Sequence, residues 1–317
     1  MKDTPTGLRA ELAGLLPRPG DPRMSQRRLA SRRADLLTAI EQPARSRVRR
    51  AGILIPALVV LVVAFGVAAV VRPWDRGVPV PIIAVRPGDR EKAVAYLNGL
   101  AAAARTATGL DGGDGRYLYV KSRIAYVVFA DSSDDAEPVR AELDALHDRE
   151  IWKPLFVGGR GLLTEEDRPS DLGVFRAVDI TPDLPEDPDA MLRKIYDGIQ
   201  QGQGHSRDGQ AFTVVGDLLT ESMLSPRVTA ALYQAAAKIP GVELVPDAVD
   251  AVGRPGIAVA RTENSRRREW IFDEATGAYL GERAYLVEDT DYGRAGMLLA
   301  TTAETERAVV GELGGRP

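Results

Sequence analysis

Two histidines are the residues best suited to chemistry in this sequence, and neither lies in a recognisable catalytic arrangement. His147 follows Leu146 near a predicted helix end, where contact between a cation and the helix dipole is ordinary. His205 stands beside Ser206 in a Gly/Gln loop, but the G-x-S-x-G turn of many hydrolases is absent. The chain has no cysteine, which excludes disulfides, thiolate metal sites and cysteine nucleophiles. We therefore predict no enzyme activity and no catalytic, cofactor-binding or metal site.

Acidic and glycine-rich turns offer oxygen and backbone ligands without a specific spacing. Asp111 and Asp114, and the run from Glu288 to Asp291, carry carboxylates that suit Ca²⁺, but neither segment has the spacing of an EF-hand loop. The GGRG segment at 158–161 resembles a phosphate-binding loop but lacks the Lys-Ser/Thr pair that defines one. We interpret all three segments as turns, the acidic two as solvated.

Two further patterns suggest contacts with other chains. Arg266, Arg267 and Arg268 precede a strand, and such charges typically protect an exposed sheet edge; a partner-binding patch is the alternative. Ala64 and Ala68 form a small-xxx-small pair that allows close helix packing. Such pairs are also frequent in any alanine-rich segment, so the oligomeric state is left open.

One segment predicts a membrane anchor. Residues 51–71 contain no charged, amide or hydroxyl side chain. A helix of this length spans about 31 Å, close to the hydrocarbon thickness of a bilayer. A buried helix of a soluble protein rarely lacks a polar face over such a length, and a cleaved signal peptide does not follow a polar region of about fifty residues. We expect residues 51–71 to be a transmembrane helix that contacts the lipid bilayer.

The charges around this segment predict its orientation. Arg45, Arg47, Arg49 and Arg50 precede it closely, and basic residues are retained on the cytoplasmic side. Residues 1–50 have twelve basic and five acidic side chains, a net charge of +7. Because the whole chain has a net charge of −4, residues 51–317 have a net charge of −11. The membrane anchor is sufficient to explain this difference in charge between the two parts, so the basic tail does not indicate a nucleic-acid partner. We predict a single-pass protein of the cell membrane with its N-terminus in the cytoplasm.

The first fifty residues are predicted to be a partly disordered cytoplasmic tail. Within it, Ser25 is a suitable N-cap for a helix to about Ile40, with leucines at helical spacing and arginines on the opposite face. The apolar stripe suits a cytoplasmic protein partner, whereas the arginines suit an anionic membrane surface. Both interpretations remain open.

The remaining chain predicts a linker at 72–88 and an extracytoplasmic domain at 89–317. Asp89 is a suitable N-cap for an alanine-rich helix to Thr106, and Asp187 followed by Pro188 begins another. The other expected elements of this part are strands at Arg116–Ala130 and Arg149–Gly158, a short helix at Pro138–Leu146, helices at Ala211–Glu221 and Pro226–Ile239, and several period-2 strands after residue 241. This order predicts an α+β fold with helices packed on one face of a curved antiparallel sheet.

Several segments of the external domain resemble a family of actinobacterial single-pass membrane proteins that has no assigned activity. The segments are GDLL at 216–219, the stretch 230–262, FDEATGAYLGER at 272–283 and LPEDPDAMLRKI at 184–195. The resemblance covers about residues 90–310 and implies the topology and the fold. The layout is similar to that of membrane anti-sigma factors, although residues 1–50 lack their zinc-binding His/Cys signature.

Two functions agree with this organisation. One is a membrane-anchored, non-enzymatic protein whose external domain is a sensor or regulator. The other is an envelope carrier that binds a lipid or another apolar ligand between a half-barrel-like sheet and its helices. A hydrophobic pocket open to solvent favours the carrier, and a closed core favours the sensor.

Overall fold

The computed structural model describes residues 78–109, 115–130, 140–176, 183–199, 206–291 and 293–317. The predicted tail and the predicted span at 51–71 lie outside these residues. No helix among the described residues is long and apolar enough to cross a membrane.

The described residues form an α+β fold with a large curved antiparallel sheet and four helices. The helices are α1 (Arg90–Thr106), α2 (Pro188–Gly198), α3 (Arg207–Glu221) and α4 (Pro226–Lys238). The strands are β1 (Val78–Pro79), β2 (Tyr117–Ala130), β3 (Arg140–Leu143), β4 (His147–Pro154), β5 (Arg160–Glu165), β6 (Arg168–Val174), β7 (Val242–Val249), β8 (Pro255–Glu263), β9 (Arg266–Phe272), β10 (Tyr279–Leu286) and β11 (Leu298–Val310). The predicted fold class is confirmed.

The sheet has the strand order β6-β5-β4-β2-β11-β10-β9-β8-β7, and β3 pairs with both β1 and β2. Its central ladder joins β2 to β11 from Tyr117 opposite Val310 to Tyr126 opposite Ala300. Sequence neighbours therefore form two antiparallel meanders, and the last strand joins the meanders to each other.

Local sequence signals account for the helix starts. The Asp89 carboxylate accepts the Lys92 N–H at 3.0 Å, and the Asp187 carboxylate accepts the Ala190 N–H at 2.8 Å, which satisfies an otherwise unpaired donor in each first turn. Pro188 occupies the first turn of α2, where no N–H is needed. Both predicted N-caps are confirmed.

The helices pack on one face of β7, β8 and β9. Leu97 of α1, Met191 of α2, Phe212 of α3 and Leu232 of α4 belong to the same buried cluster as Trp270 of β9. The Phe212 and Trp270 rings are stacked with centroids 3.7 Å apart. Removing this much aromatic and aliphatic surface from water is the main stabilising contribution to the domain.

The prediction of a short helix at Pro138–Leu146 was wrong. Arg140–Leu143 is strand β3, whose residues lie opposite Val127–Ala130 of β2, while β1 pairs with its other side. Backbone hydrogen bonds on both sides outweigh the weak helical preference of so short a segment.

Candidate functional site

The clearest candidate for a functional element is the extended segment 78–89, which we call the strap. It forms most of the predicted linker and leads into α1, and its backbone bonds to distant parts of the sheet. Val78 lies opposite Leu143 of β3, Ile82 lies opposite Met297, and Asp89 lies opposite Leu244 of β7. The strap thus connects the β2–β3 corner to the strand at the far end of the sheet.

Backbone hydrogen bonds hold the middle of the strap against the residues before β11. The Ile83 N–H donates to the Gly296 carbonyl at 2.7 Å, and the Leu298 N–H donates to the Pro81 carbonyl at 3.1 Å. Gly296 has φ +83°, and a Cβ at this position would lie 2.2 Å from the Ile83 carbonyl oxygen. Only glycine allows this close approach without displacing the strap.

Arg267 fixes the strap near its C-terminal end. Its guanidinium donates to the Arg86 carbonyl at 2.5 Å and to Thr262 Oγ1 at 3.0 Å, and it lies 3.6 Å from the Glu243 carboxylate. The neighbouring Arg268 instead donates to Thr213 of α3, on the helix side of the sheet. Arg267 therefore lies on the face of the sheet opposite the helices.

The prediction that Arg266–Arg268 protect an exposed edge was wrong. Strand β9 is internal, since it pairs with β8 on one side and β10 on the other. Arg267 is only 7% exposed. A run of three arginines in a sequence is typical of an exposed strand edge. In this strand Arg267 and Arg268 instead bind partners on opposite faces of the sheet.

A second buried charge lies on the same face of the sheet as Arg267, opposite the helices, which we call the outer face. The Glu269 carboxylate, fully buried, accepts from Arg283 Nε at 2.5 Å and from the Tyr285 hydroxyl at 2.6 Å. Burial, followed by the nearby Glu269 charge, raises the pKa of Tyr285 to about 12, so the phenol remains a donor at neutral pH. Both carboxylate oxygens are thus paired, as burial of a charge requires.

His147 lies at the other end of the strap and is the first residue of β4, rather than a residue near a helix end as predicted. Its Nδ1 is 2.8 Å from the Ala145 carbonyl, and its Nε2 is 3.1 Å from the Glu165 carboxylate. Asp144 lies 3.9 Å from Nδ1. Burial lowers the pKa of His147, but the contacts with Ala145, Glu165 and Asp144 outweigh burial and raise it above its usual value.

The other predicted positions are dispersed. Glu288 accepts from the Ser265 hydroxyl, and Asp289 accepts the Ala295 N–H at 2.8 Å, so both carboxylates take part in turn hydrogen bonds. Gly158 lies in the turn before β5 with φ +82°. His205, Asp111, Asp114, Ala64 and Ala68 lie outside the described residues. No group of three or more acidic or histidine side chains positioned for a metal ion occurs in the described ranges.

The space between sheet and helices is filled by side chains in the part of the chain that the structure describes. Leu232, Trp270 and Phe272 are fully buried there. Two hollows of about 510 and 530 Å³ lie at the surface and are open to solvent. The first follows the C-terminal residues 309–317, and the second lies between Tyr96 of α1 and the β9–β10 turn. The second hollow is lined by α1, by Leu244 of β7 and by this turn, so it lies at the open margin between α1 and the sheet.

The fold defines a class of domain with one curved antiparallel sheet, helices on its inner face and a strap on its outer face. Among solved structures the chain is similar to MucB, at 15% identity over 72% of this chain and 60% of that chain, with a TM-score of 0.23. The complex of Pseudomonas aeruginosa MucA/MucB gives 16% identity, 71% and 58% coverage and a TM-score of 0.23. For a structure of MucB in complex with MucA(peri), the identity is 16% over 71% of this chain and 57% of that chain, and the TM-score is 0.21.

The chain thus spans about three fifths of the length of these MucB chains. TM-scores this low do not establish a common fold, and no functional conclusion follows from them. No family model and no curated protein sequence matches the chain. The resemblance to actinobacterial single-pass membrane proteins stays a prediction.

Proposed function

We propose that the chain is a membrane-anchored, non-enzymatic regulator whose extracytoplasmic domain responds to a stimulus and acts through its connection to the membrane. The observation that carries this proposal is the closed core. The carrier alternative requires an apolar pocket between the sheet and the helices, and the described residues in that space are packed against one another. The described residues therefore favour a regulator, and the open hollow beside Tyr96 and Leu244 is the place where a carrier would have to bind its ligand.

The strap provides the physical connection that a regulator requires. It lies in the linker that follows the predicted span, and its backbone pairs with β3, with Met297 and with β7. A change in the packing of the sheet therefore changes where the chain leaves the domain. A carrier needs no such coupling, because a loose tether serves it equally well.

Orientation is tested by reporter fusions. A phosphatase fused after Arg86 is expected to be active, because basic residues keep the N-terminus in the cytoplasm. A reporter that works only in the cytoplasm should be silent at the same position. The reverse pattern would contradict both the anchor orientation and the proposal.

Coupling across the membrane is tested by locking the strap. Ile82 and Met297 are a non-hydrogen-bonded antiparallel pair, whose short Cα separation suits a disulfide, and the chain has no other cysteine. The test uses the Ile82→Cys/Met297→Cys variant in native membranes, with a photo-crosslinker at Leu36 of the tail. The products crosslinked to Leu36 should differ between the oxidised variant, in which the disulfide holds the strap, and the reduced variant. The single variant Ile82→Cys is the control. Identical crosslinks in both states would exclude coupling between strap and tail.

A further inference from the structure

His147 has a geometry that only its doubly protonated form satisfies. A neutral imidazole has one N–H, so its other nitrogen presents a lone pair. Here both nitrogens face oxygen acceptors, the Ala145 carbonyl at 2.8 Å and the Glu165 carboxylate at 3.1 Å. If either nitrogen loses its proton, its lone pair therefore points at the oxygen of Ala145 or of Glu165, and the two repel each other. The side chain is 12% exposed, so water has little access to relieve this repulsion.

The charged groups around His147 leave two carboxylates for it to neutralise. From β2, Lys121 and Arg123 both pair with Asp148 of β4. Elsewhere on these strands, Arg168 pairs with Glu166 beside the β5–β6 turn, and Arg149 and Lys153 of β4 pair with Glu221 of α3. Among the described residues, His147 is the basic group that contacts Glu165 and Asp144.

The proton on His147 stabilises the short connection between β3 and β4. Asp144 closes this connection by accepting the Tyr126 N–H at 2.5 Å, while its own N–H donates to the Tyr126 carbonyl at 2.9 Å. Arg123 donates to the Leu146 carbonyl at 2.8 Å. Protonated His147 adds one bond to Ala145 of the connection and one to Glu165 of β5. A neutral ring has a single N–H, so it keeps only one of these two bonds and turns a lone pair toward the other oxygen.

This connection supports the strap directly. Leu143 and Leu146 at its two ends belong to one apolar cluster with Val80 and Ile83 of the strap. Leu143 is also the backbone partner of Val78. Any loosening of residues 144–146 therefore acts on the point where the strap enters the domain.

We propose that His147 is a proton-controlled latch that holds the strap on the sheet in its protonated state and loosens it as the pH rises. The proposal names the proton as a stimulus, and it rests on the proposed regulatory function only for the consequence of strap release. Because the folded state holds the imidazolium more tightly than the unfolded state, the latch contributes fully below the unfolded pKa of about 6.5. The contribution is lost as the pH rises through the higher folded-state pKa.

The first measurement is the NMR titration of the His147 ring in the full chain in detergent micelles. The His205→Gln variant leaves a single histidine signal and is the control for assignment. We expect the pKa of His147 to exceed 6.5 and to fall in Glu165→Gln, which keeps the histidine but removes the carboxylate. A pKa at or below 6.5 would overturn the proposal.

The second measurement is amide hydrogen exchange of the strap, corrected for the intrinsic effect of pH. The Ile83 and Leu298 N–H groups report the two central strap bonds, and an α4 peptide is the internal reference. Between pH 6 and 8 the protection of the strap should fall by the factor that the titration predicts, about tenfold for each unit of pKa difference. The α4 peptide should not change.

The two outcomes separate the proposals. If strap protection is independent of pH, or if its pH dependence persists in both His147→Gln and Glu165→Gln, the latch is excluded. If the latch responds but locking the strap leaves the tail crosslinks unchanged, the latch stands and the regulatory function fails. If locking changes the crosslinks but the pH does not change strap protection, another stimulus acts on the strap.

Discussion

The two faces of strand β9 differ in how they stabilise their surroundings. On the inner face, Trp270 and Phe272 pack against the helices as part of one apolar cluster. On the outer face, Arg267 and Glu269 are bound by directed hydrogen bonds to Arg86, Arg283 and Tyr285. Apolar cores tolerate substitutions that conserve volume, whereas a buried charge that loses its partner is strongly destabilising. We infer that the inner face supplies stability and the outer face fixes the position of the strap.

The largest effect is expected where a buried charge loses its partner. Glu269→Ala leaves Arg283 buried and uncompensated, which should lower the free energy of unfolding by about 3–5 kcal/mol. Denaturant unfolding of the full chain in detergent measures this loss. The double variant Glu269→Leu/Arg283→Met is the control, and it should be near neutral or more stable. A loss below about 1 kcal/mol in Glu269→Ala would remove the distinction between the faces.

A slightly smaller effect is expected on the inner face. Leu232→Ala removes a fully buried side chain and should cost about 2–5 kcal/mol, because the surrounding helices cannot collapse fully onto the cavity. Leu313→Ala is the matched control, since that leucine is 41% exposed, and it should stay within about 0.5 kcal/mol of the natural chain. Similar values for the two variants would mean that the core is not closed.

The smallest effect concerns an outer-face pair near the C-terminus. Arg316 donates to both oxygens of Glu150, at 2.8 and 2.6 Å, and chiefly this contact lowers the pKa of Glu150 below 4.5. A lowered carboxyl pKa contributes stability above pH 4.5 that is lost as the pH falls through the folded-state value. Arg316→Ala should therefore lower the stability only slightly at pH 7, since the arginine is largely exposed, and still less at pH 3, where Glu150 is protonated.

The measurement is a set of denaturation midpoints between pH 3 and 7 for the natural chain and for Arg316→Ala. Lys92→Ala provides a comparison, because its pair with Asp89 is also exposed. If the two stability curves of the natural chain and Arg316→Ala remain parallel over this range, Glu150 does not derive its stabilisation from Arg316.

Elements with strong local signals were predicted from the sequence. Helices α1 and α2 have an aspartate N-cap, and α2 adds proline in its first turn, so their starts follow from a few adjacent residues. The turn at 273–277 is equally local, because the Asp273 carboxylate accepts the N–H groups of Ala275 and Thr276. These features depend little on the rest of the chain.

Elements defined by distant partners were missed. The β5–β6 hairpin turns through Glu166 and Asp167, both with positive φ, and this pair lacks the Asn-Gly or Asp-Gly signature of such turns. Strand β3 exists because β1 and β2 lie on either side of it. The strap pairs with residues more than 60 positions away, such as Leu143, Met297 and Leu244, so no local pattern predicts it.

The pairing of β2 with β11 has a consequence for how the domain assembles. Strands β2 and β11 lie near opposite ends of the described chain, yet they form the central ladder of the sheet. The meanders β4–β6 and β7–β10 close over short loops and are expected to form early, whereas closing the longest loop is slow. Until β11 is inserted, β2 and β10 each present an open edge that can pair with another chain. Aggregation during folding should therefore be governed by the arrival of this last strand.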